Sequence, residues 1–181
     1  MQHPLEVGHA KGSARLLHLS LPNSALAIGE NFDPEMLQAL ISGPLRTPFK
    51  SAVLAPKRSI LLYPDPPQAP EGGLPVPPAT GASDVLDLSR TRLIVLDGTW
   101  RKSRKMLYLN PLLQQLPRLA LRDMPASHYR IRKAHKPDQL STLEATCAAL
   151  AQLDGNAEAW LPLLAAFDGF VSQQSEHHAS R

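Results

Sequence analysis

The sequence contains a single cysteine, Cys147, so it can hold neither an intrachain disulfide nor a cysteine-rich metal site. Its neighbours Ala145, Ala148, Ala149 and Leu150 mark it as a small buried helix residue rather than a nucleophile. No run approaches the ~20 apolar residues that span a bilayer. The N-terminus lacks a charged segment leading into a hydrophobic one, so no secretory signal is expected and a cytoplasmic location is. There is no glycine-rich phosphate loop, zinc pattern or serine-nucleophile elbow, which leaves ATP-driven and hydrolytic chemistry without support. His3, His9 and His18 stand without metal-like partners and read as structural or solvent-facing, so no metal is expected. No internal repeat is visible.

Acids are scarce where bases are dense. Residues 90–136 contain twelve Lys/Arg and only two acids, Asp97 and Asp123, a local charge of +10. The rest of the chain, with seven basic and fourteen acidic residues, carries −7, and the net +3 conceals this division. Such concentration is the footprint of a polyanion-binding face, RNA or DNA, although charge runs also serve as ordinary solvated surfaces.

At 181 residues, 43% apolar and 19% charged, the chain has the length and composition of one soluble globular domain. Residues 1–4 read as the end of an edge strand, 11–19 as a helix with Ala14, Leu17 and Leu16 or Leu19 on one face, and 24–29 as a short strand. Asp33-Pro34-Glu35 is a helix start, with an N-cap, a proline at the first position and an acid in the first turn. Met36, Leu37, Leu40 and Ile41 supply that helix's apolar face, and Gly43-Pro44 ends it. Residues 51–55 and 59–63 read as strands around a Pro56-Lys57-Arg58 turn. Residues 64–81 hold seven of the eighteen prolines, which excludes helix and sheet and predicts a long loop. A helical turn over 83–88 precedes a strand over 92–96, and another strand covers 118–121. Ser141-Thr142-Leu143-Glu144 is a capping-box pattern opening a helix with Leu143, Cys147, Leu150 and Leu153 as its buried stripe. A final helix over 157–171 presents Trp160, Leu163, Leu164, Phe167 and Phe170 to one side, and 173–181 is a polar tail. Strands alternating with helices imply a single α/β sandwich with a largely parallel sheet, over residues 1–172.

The most informative stretch is 92–105. Leu93-Ile94-Val95-Leu96 is a buried strand that delivers Asp97 to a glycine turn, and Trp100 opens a helix carrying Arg101, Lys102, Arg104 and Lys105. In open α/β folds ligands bind outside the carboxyl ends of strands. Aspartate is poorly suited to strands, so Asp97 reads as a functional carboxylate or as the N-cap of the following helix. Gly98 permits close approach of a ligand or simply a tight turn, and Thr99 bonds a ligand or caps the helix. Trp100 stacks on a base or anchors the core. The four cations, near a helix start, attract phosphate. In His128-Tyr129-Arg130-Ile131-Arg132-Lys133, Tyr129 interleaved with Arg130, Arg132 and Lys133 offers a further stacking and phosphate surface.

Asp97-Gly98-Thr99-Trp100 resembles the signature of the DTW-domain proteins, which include tRNA-uridine aminocarboxypropyltransferases. The resemblance extends over nearly the whole chain through four further blocks: His3-Pro4 with Lys11-Gly12-Ser13-Ala14, then Leu62-Tyr63-Pro64, Tyr129-Arg130-Ile131-Arg132-Lys133, and Ser141-Thr142-Leu143-Glu144. It implies a fold related to the knotted SPOUT methyltransferases. The activity implied is transfer of the 3-amino-3-carboxypropyl group of S-adenosylmethionine to N3 of a tRNA uridine, with methylthioadenosine released. In that resemblance Asp97 is the general base or orients uridine. Leu62, Tyr63, Pro64, Leu96, Gly98, Thr99, Trp100, Ser141, Thr142 and Glu144 line the S-adenosylmethionine site. Free amides at Ser141–Glu144 take its carboxylate and Glu144 its ammonium. The capping box alone also accounts well for Ser141, Thr142 and Glu144. Arg101, Lys102, Arg104, Lys105, Tyr129, Arg130, Arg132 and Lys133 contact tRNA. Many bacterial members of the family carry an N-terminal cysteine cluster and an apolar first strand that this sequence lacks. The alternatives are an RNA methyltransferase of the knotted type and a non-catalytic RNA-binding protein.

Overall fold

In the computed structural model, residues 1–8, 12–47, 50–53, 55–56, 58–65, 88–122 and 140–179 are described. The apolar run Ile60-Leu61-Leu62 forms the central strand β3 (Arg58–Leu62), flanked on both sides by parallel neighbours. On one side it pairs with β4 (Thr91–Val95), from Arg58 opposite Thr91 to Leu62 opposite Val95. On the other lies the short β5 (Arg118–Leu119), where Leu61 and Leu62 meet Arg118 and Leu119. Successive side chains Ile60 and Leu61 face opposite sides of the sheet and are both buried, as expected of a parallel strand covered on two faces.

The first three residues extend this sheet beyond β4. Gln2 bridges Asp97 on one side and Ile28 on the other, both in parallel. His3 N donates to Asp97 O (3.0 Å), Asp97 N to Met1 O (2.8 Å), and Gly29 N to Gln2 O (3.0 Å). Residues 1–3 are therefore interior and not the edge expected from their polarity. The strand expected over 24–29 shrinks to one bridge at Ile28, because only Gln2 is there to pair with it. The expected neighbours around Pro56 separate as well. A hairpin of β1 (Leu45–Thr47) and β2 (Lys50–Val53), the first unforeseen, forms its own antiparallel sheet, while β3 joins the parallel one.

Among the described residues, six helices pack around this frame. Helix α1 (Ser13–Ser20) starts slightly later than expected. Helix α2 (Pro34–Ser42) starts as predicted, with the Asp33 carboxylate accepting from Met36 N, but only Leu37 and Ile41 of its apolar residues are fully buried. The Arg92 guanidinium donates to the carbonyls of Leu40, Ile41 and Gly43, satisfying the orphan acceptors where α2 ends. Helices α3 (Trp100–Leu109) and α4 (Pro111–Gln114) bury Met106, Leu107 and Leu113 against Leu61, Ile94 and Leu96 of the sheet. Helix α5 (Thr142–Asp154) packs Leu143 and Cys147 against Leu17 of α1 and Phe167 and Val171 of α6 (Leu161–Ala179), forming a second core. Leu150 and Leu153 of the expected stripe are only half-buried. Burial raises the Cys147 thiol to about 11, consistent with a packing residue.

The last helix is preceded by a 3₁₀ turn at Glu158–Trp160 and runs on to Ala179, so the polar segment from Gln173 is helical that far. Of the helical turn expected over 83–88 only Leu88 is described, within a 3₁₀ turn to Arg90. The proline-rich stretch past Asp65 lies outside the described residues. Among the described residues no helix is long and apolar enough to cross a membrane. The fold is mixed α/β with a small parallel sheet.

Candidate active site at the carboxyl end of the parallel sheet

Because Leu62 is in register with Val95, Leu62-Tyr63-Pro64 and the segment from Leu96 to Trp100 emerge side by side at one sheet edge. Leu96 itself is core, packed with Leu61 and Met106. Asp97 is 8% exposed, and its carboxylate is held from two directions. Oδ2 accepts from Gln2 Nε2 at 2.9 Å and Oδ1 accepts from the Thr142 hydroxyl at 2.7 Å. Asp97 does not cap α3. That role falls to Thr99, whose Oγ1 accepts from Lys102 N. The cap reading of Asp97 is thereby set aside. Each carboxylate oxygen retains lone-pair capacity for a further donor.

Gly98 does not adopt a positive φ. A Cβ there would lie 3.1 Å from the Lys102 Cβ and 3.6 Å from the His3 Cβ, so close packing accounts for the glycine.

Thr142 opens α5, and the full capping box surrounds it. Glu144 N donates to the Ser141 hydroxyl and Ser141 N to Glu144 Oε2 at 2.7 Å. Ser141 and Glu144 are thus occupied in ending the helix. Thr142 is not, and its hydroxyl reaches 45 positions back to Asp97. The amides of Thr142 and Leu143 have no hydrogen-bond acceptor among the described residues, and of the two residues only Thr142 is partly exposed, Leu143 being fully buried.

Arg118, Tyr63 and Trp100 are linked by successive contacts. The Arg118 guanidinium lies 5.4 Å from the Tyr63 ring centre and donates to Pro64 O. Tyr63 meets Trp100 edge to face at 5.8 Å. Burial raises the Tyr63 phenol above its ordinary pKa, against smaller opposing contributions from Ser103, Arg118 and Arg104. Trp100 is 55% exposed and belongs to the surface, not the core.

The basic segment is less free than its composition suggested. Of its eight described cations, Arg90 donates to Ala55 O, Arg92 closes α2 and Arg118 supports Tyr63. Lys102 pairs with Glu6 (2.7 Å) and Lys105 with Glu30 (2.8 Å). Lys105 and then His3 hold the Glu30 carboxyl below its usual range. Only Arg101, Arg104 and Arg122 have exposed side chains with no such partner among the described residues. Tyr129, Arg130, Arg132 and Lys133 lie outside the described residues.

Sequence reasoning missed Gln2, Ser103 and Arg118. Gln2 adjoins the His3-Pro4 block, but nothing in a glutamine announces that it holds a distant aspartate.

Residues 1–175 match the family model described as the DTW domain. Among curated proteins, the tRNA-uridine aminocarboxypropyltransferase 2 of Macaca fascicularis is 28% identical over 188 residues, covering 99% of this chain and 55% of that protein. The protein of the same name from Mus musculus is 28% identical over 184 residues, with the same coverages. The chain spans about half the length of these curated relatives. No solved structure matches. With nearly its whole length inside the family model, the chain belongs to the DTW domain family.

Proposed function

We propose that this domain transfers the 3-amino-3-carboxypropyl group of S-adenosylmethionine to N3 of a uridine in tRNA. Two similar proteins carry that activity in their names, and one contact supports it most directly here. The Thr142–Asp97 hydrogen bond joins an anion-binding helix start to a strand-end carboxylate. A donor with an amino-acid end and a nucleophile with an N–H to lose need those two features side by side.

When bound, S-adenosylmethionine supplies an electrophilic carbon next to a cationic sulfur leaving group. The chain's own residues do the rest. Asp97 accepts the N3 proton of uridine as N3 forms its bond to that carbon, and the carbon–sulfur bond breaks to release methylthioadenosine. Gln2 and Thr142 fix the carboxylate so that it need not reorganise. The amide of half-buried Thr142, at the helix start, fits a carboxylate. Glu144, already bonded to Ser141 N, serves the helix start in this reading, and the donor's ammonium is not assigned to it. Leu62, Tyr63, Pro64, Gly98, Thr99 and Trp100 border the space beside Asp97. Arg101 and Arg104 meet tRNA phosphates, joined by Lys105 if RNA displaces Glu30, since exposed ion pairs are weak, whereas Lys102 is held by Glu6 in a partly buried pair. Tyr129, Arg130, Arg132 and Lys133 are proposed as further tRNA contacts on the family resemblance alone. The parallel sheet with its candidate site at the carboxyl end also fits the SPOUT-like reading of the fold.

The test is mass spectrometry of tRNA incubated with the protein and S-adenosylmethionine. Aminocarboxypropylated uridine and methylthioadenosine are expected. Unmodified uridine after long incubation would sink the proposal, and methylated RNA with S-adenosylhomocysteine would replace it by methyl transfer. Thr142→Val keeps the side chain's shape and removes one donor to Asp97. Turnover should fall about 10- to 100-fold, the worth of a hydrogen bond to a charged group, with the fold retained by circular dichroism. Parent-like turnover would detach Thr142 from the reaction.

A further inference from the structure

The exposed face of α3 carries an aromatic residue that the proposed chemistry does not use. Tyr108 is 65% exposed, more so than Trp100 at 55%. At about 100° per residue, Trp100, Arg104, Tyr108, Arg101 and Lys105 fall within an arc of about 140°. Ser103, Met106 and Leu107 occupy the opposite, buried side. Tyr108 sits near the middle of the cationic arc, about 12 Å along the helix axis from Trp100. No residue of α3 is acidic.

This end of the helix is also stiff. Buried Gln114 donates through Nε2 to the carbonyls of both Leu107 (2.8 Å) and Tyr108 (3.0 Å). Buried Asn110 donates to Met106 O (2.6 Å) and Glu30 O, and accepts from Phe32 N. At the other end Tyr63 braces Trp100. Two aromatic rings are thus offered to solvent on a fixed frame with guanidinium groups between them.

We propose that this face binds an unpaired RNA segment flanking the target uridine, with Tyr108 as a base-stacking residue and Arg101 and Arg104 on the backbone phosphates. Charge complementarity selects a polyanion. The exposed rings select unpaired bases, because a duplex hides the faces on which they would stack. The inference rests on the reading of the domain as a tRNA enzyme, and the test separates the two.

The full chain is titrated with a fluorescent, unstructured oligoribonucleotide and with the same strand annealed to its complement. Unpaired RNA should bind about tenfold or more tightly than duplex. Tyr108→Ala should weaken it at least about fivefold, the low end for loss of one stacked base, and Tyr108→Phe should stay within about twofold. The salt dependence of Tyr108→Ala should match the parent, since no phosphate contact is lost. Replacing Arg101 and Arg104 by alanine should flatten the slope by about 0.7 per lost contact. Parent-like binding by Tyr108→Ala, equal or tighter binding of duplex, or no binding of either RNA overturns the inference. If tRNA uridine is modified while Tyr108→Ala binds normally, this inference fails and the proposed function stands. If Tyr108→Ala loses binding but no uridine is ever modified, the proposed function fails and the surface stands.

Discussion

Asp97→Asn is expected to leave a folded protein that still binds RNA and turns over about 10²- to 10⁴-fold more slowly, the range for losing a positioned acid–base group. Asparagine keeps the size of aspartate and an oxygen to accept the Thr142 hydroxyl. Its new NH₂ would face the NH₂ of Gln2, two donors in opposition, but the Gln2 amide can flip and present its own oxygen instead. The variant therefore loses the capacity to take a proton without losing its place in the sheet, where the Asp97 backbone remains paired with Met1 and His3. Single-turnover assays with saturating tRNA read the chemistry, and RNA titration reads the binding. Turnover within about tenfold of the parent would remove Asp97 from the base role.

The carboxylate was legible in the sequence because its surroundings are unambiguous at short range. Four apolar residues, one acid and a glycine read as a strand end, and the strand pairs in parallel with β3. The capping box at Ser141 was equally local, and it formed as written. The contacts that turn Asp97 into a site were not legible. Thr142 and Gln2 lie 45 and 95 positions away, and a threonine at the first helical position carries no mark of what its hydroxyl will meet. The edge reading of residues 1–4 failed for a related reason. Gln2 and His3 are polar, yet both are buried, because Gln2 bonds Asp97 and His3 Nε2 meets Glu30 at 2.8 Å. Polar side chains satisfied by distant partners are invisible to hydropathy.

Charge was the feature most easily misjudged. Composition places twelve cations between residues 90 and 136, but it cannot separate a guanidinium that ends a helix from one that waits for phosphate. Arg92 does the first. Burial lowers its pKa from the ordinary value, as it does for Arg118 beneath Tyr63. Arg101 and Arg104, on the solvent side of α3, are the ones that the proposed function assigns to the second. In the proposed function the segment contacts RNA through a few positions, not through its sum.

Phe167→Ala is expected to have the largest effect on stability. Phe167 is 1% exposed and ties α6 to Leu143 and Cys147 of α5 and Leu17 of α1. Truncating a buried phenylalanine costs about 3–5 kcal/mol, a large part of the 5–15 kcal/mol that holds a domain of this kind together. The urea midpoint should fall with little change in slope. Phe167→Leu, which conserves much of the volume, should cost less than about 1.5 kcal/mol, and Phe170→Ala, at a half-buried position, less than Phe167→Ala. The effect should reach the site as well. Leu143 fills this core while Thr142, one residue earlier, holds Asp97, so a cavity behind α5 loosens the helix start that the carboxylate depends on. At a temperature where Phe167→Ala is still folded, its turnover should fall while Phe167→Leu stays near the parent. A loss of stability below about 1 kcal/mol would mean that α6 is not packed on α5 as described. Full activity in a strongly destabilised variant would mean that the second core supports the fold without positioning Thr142.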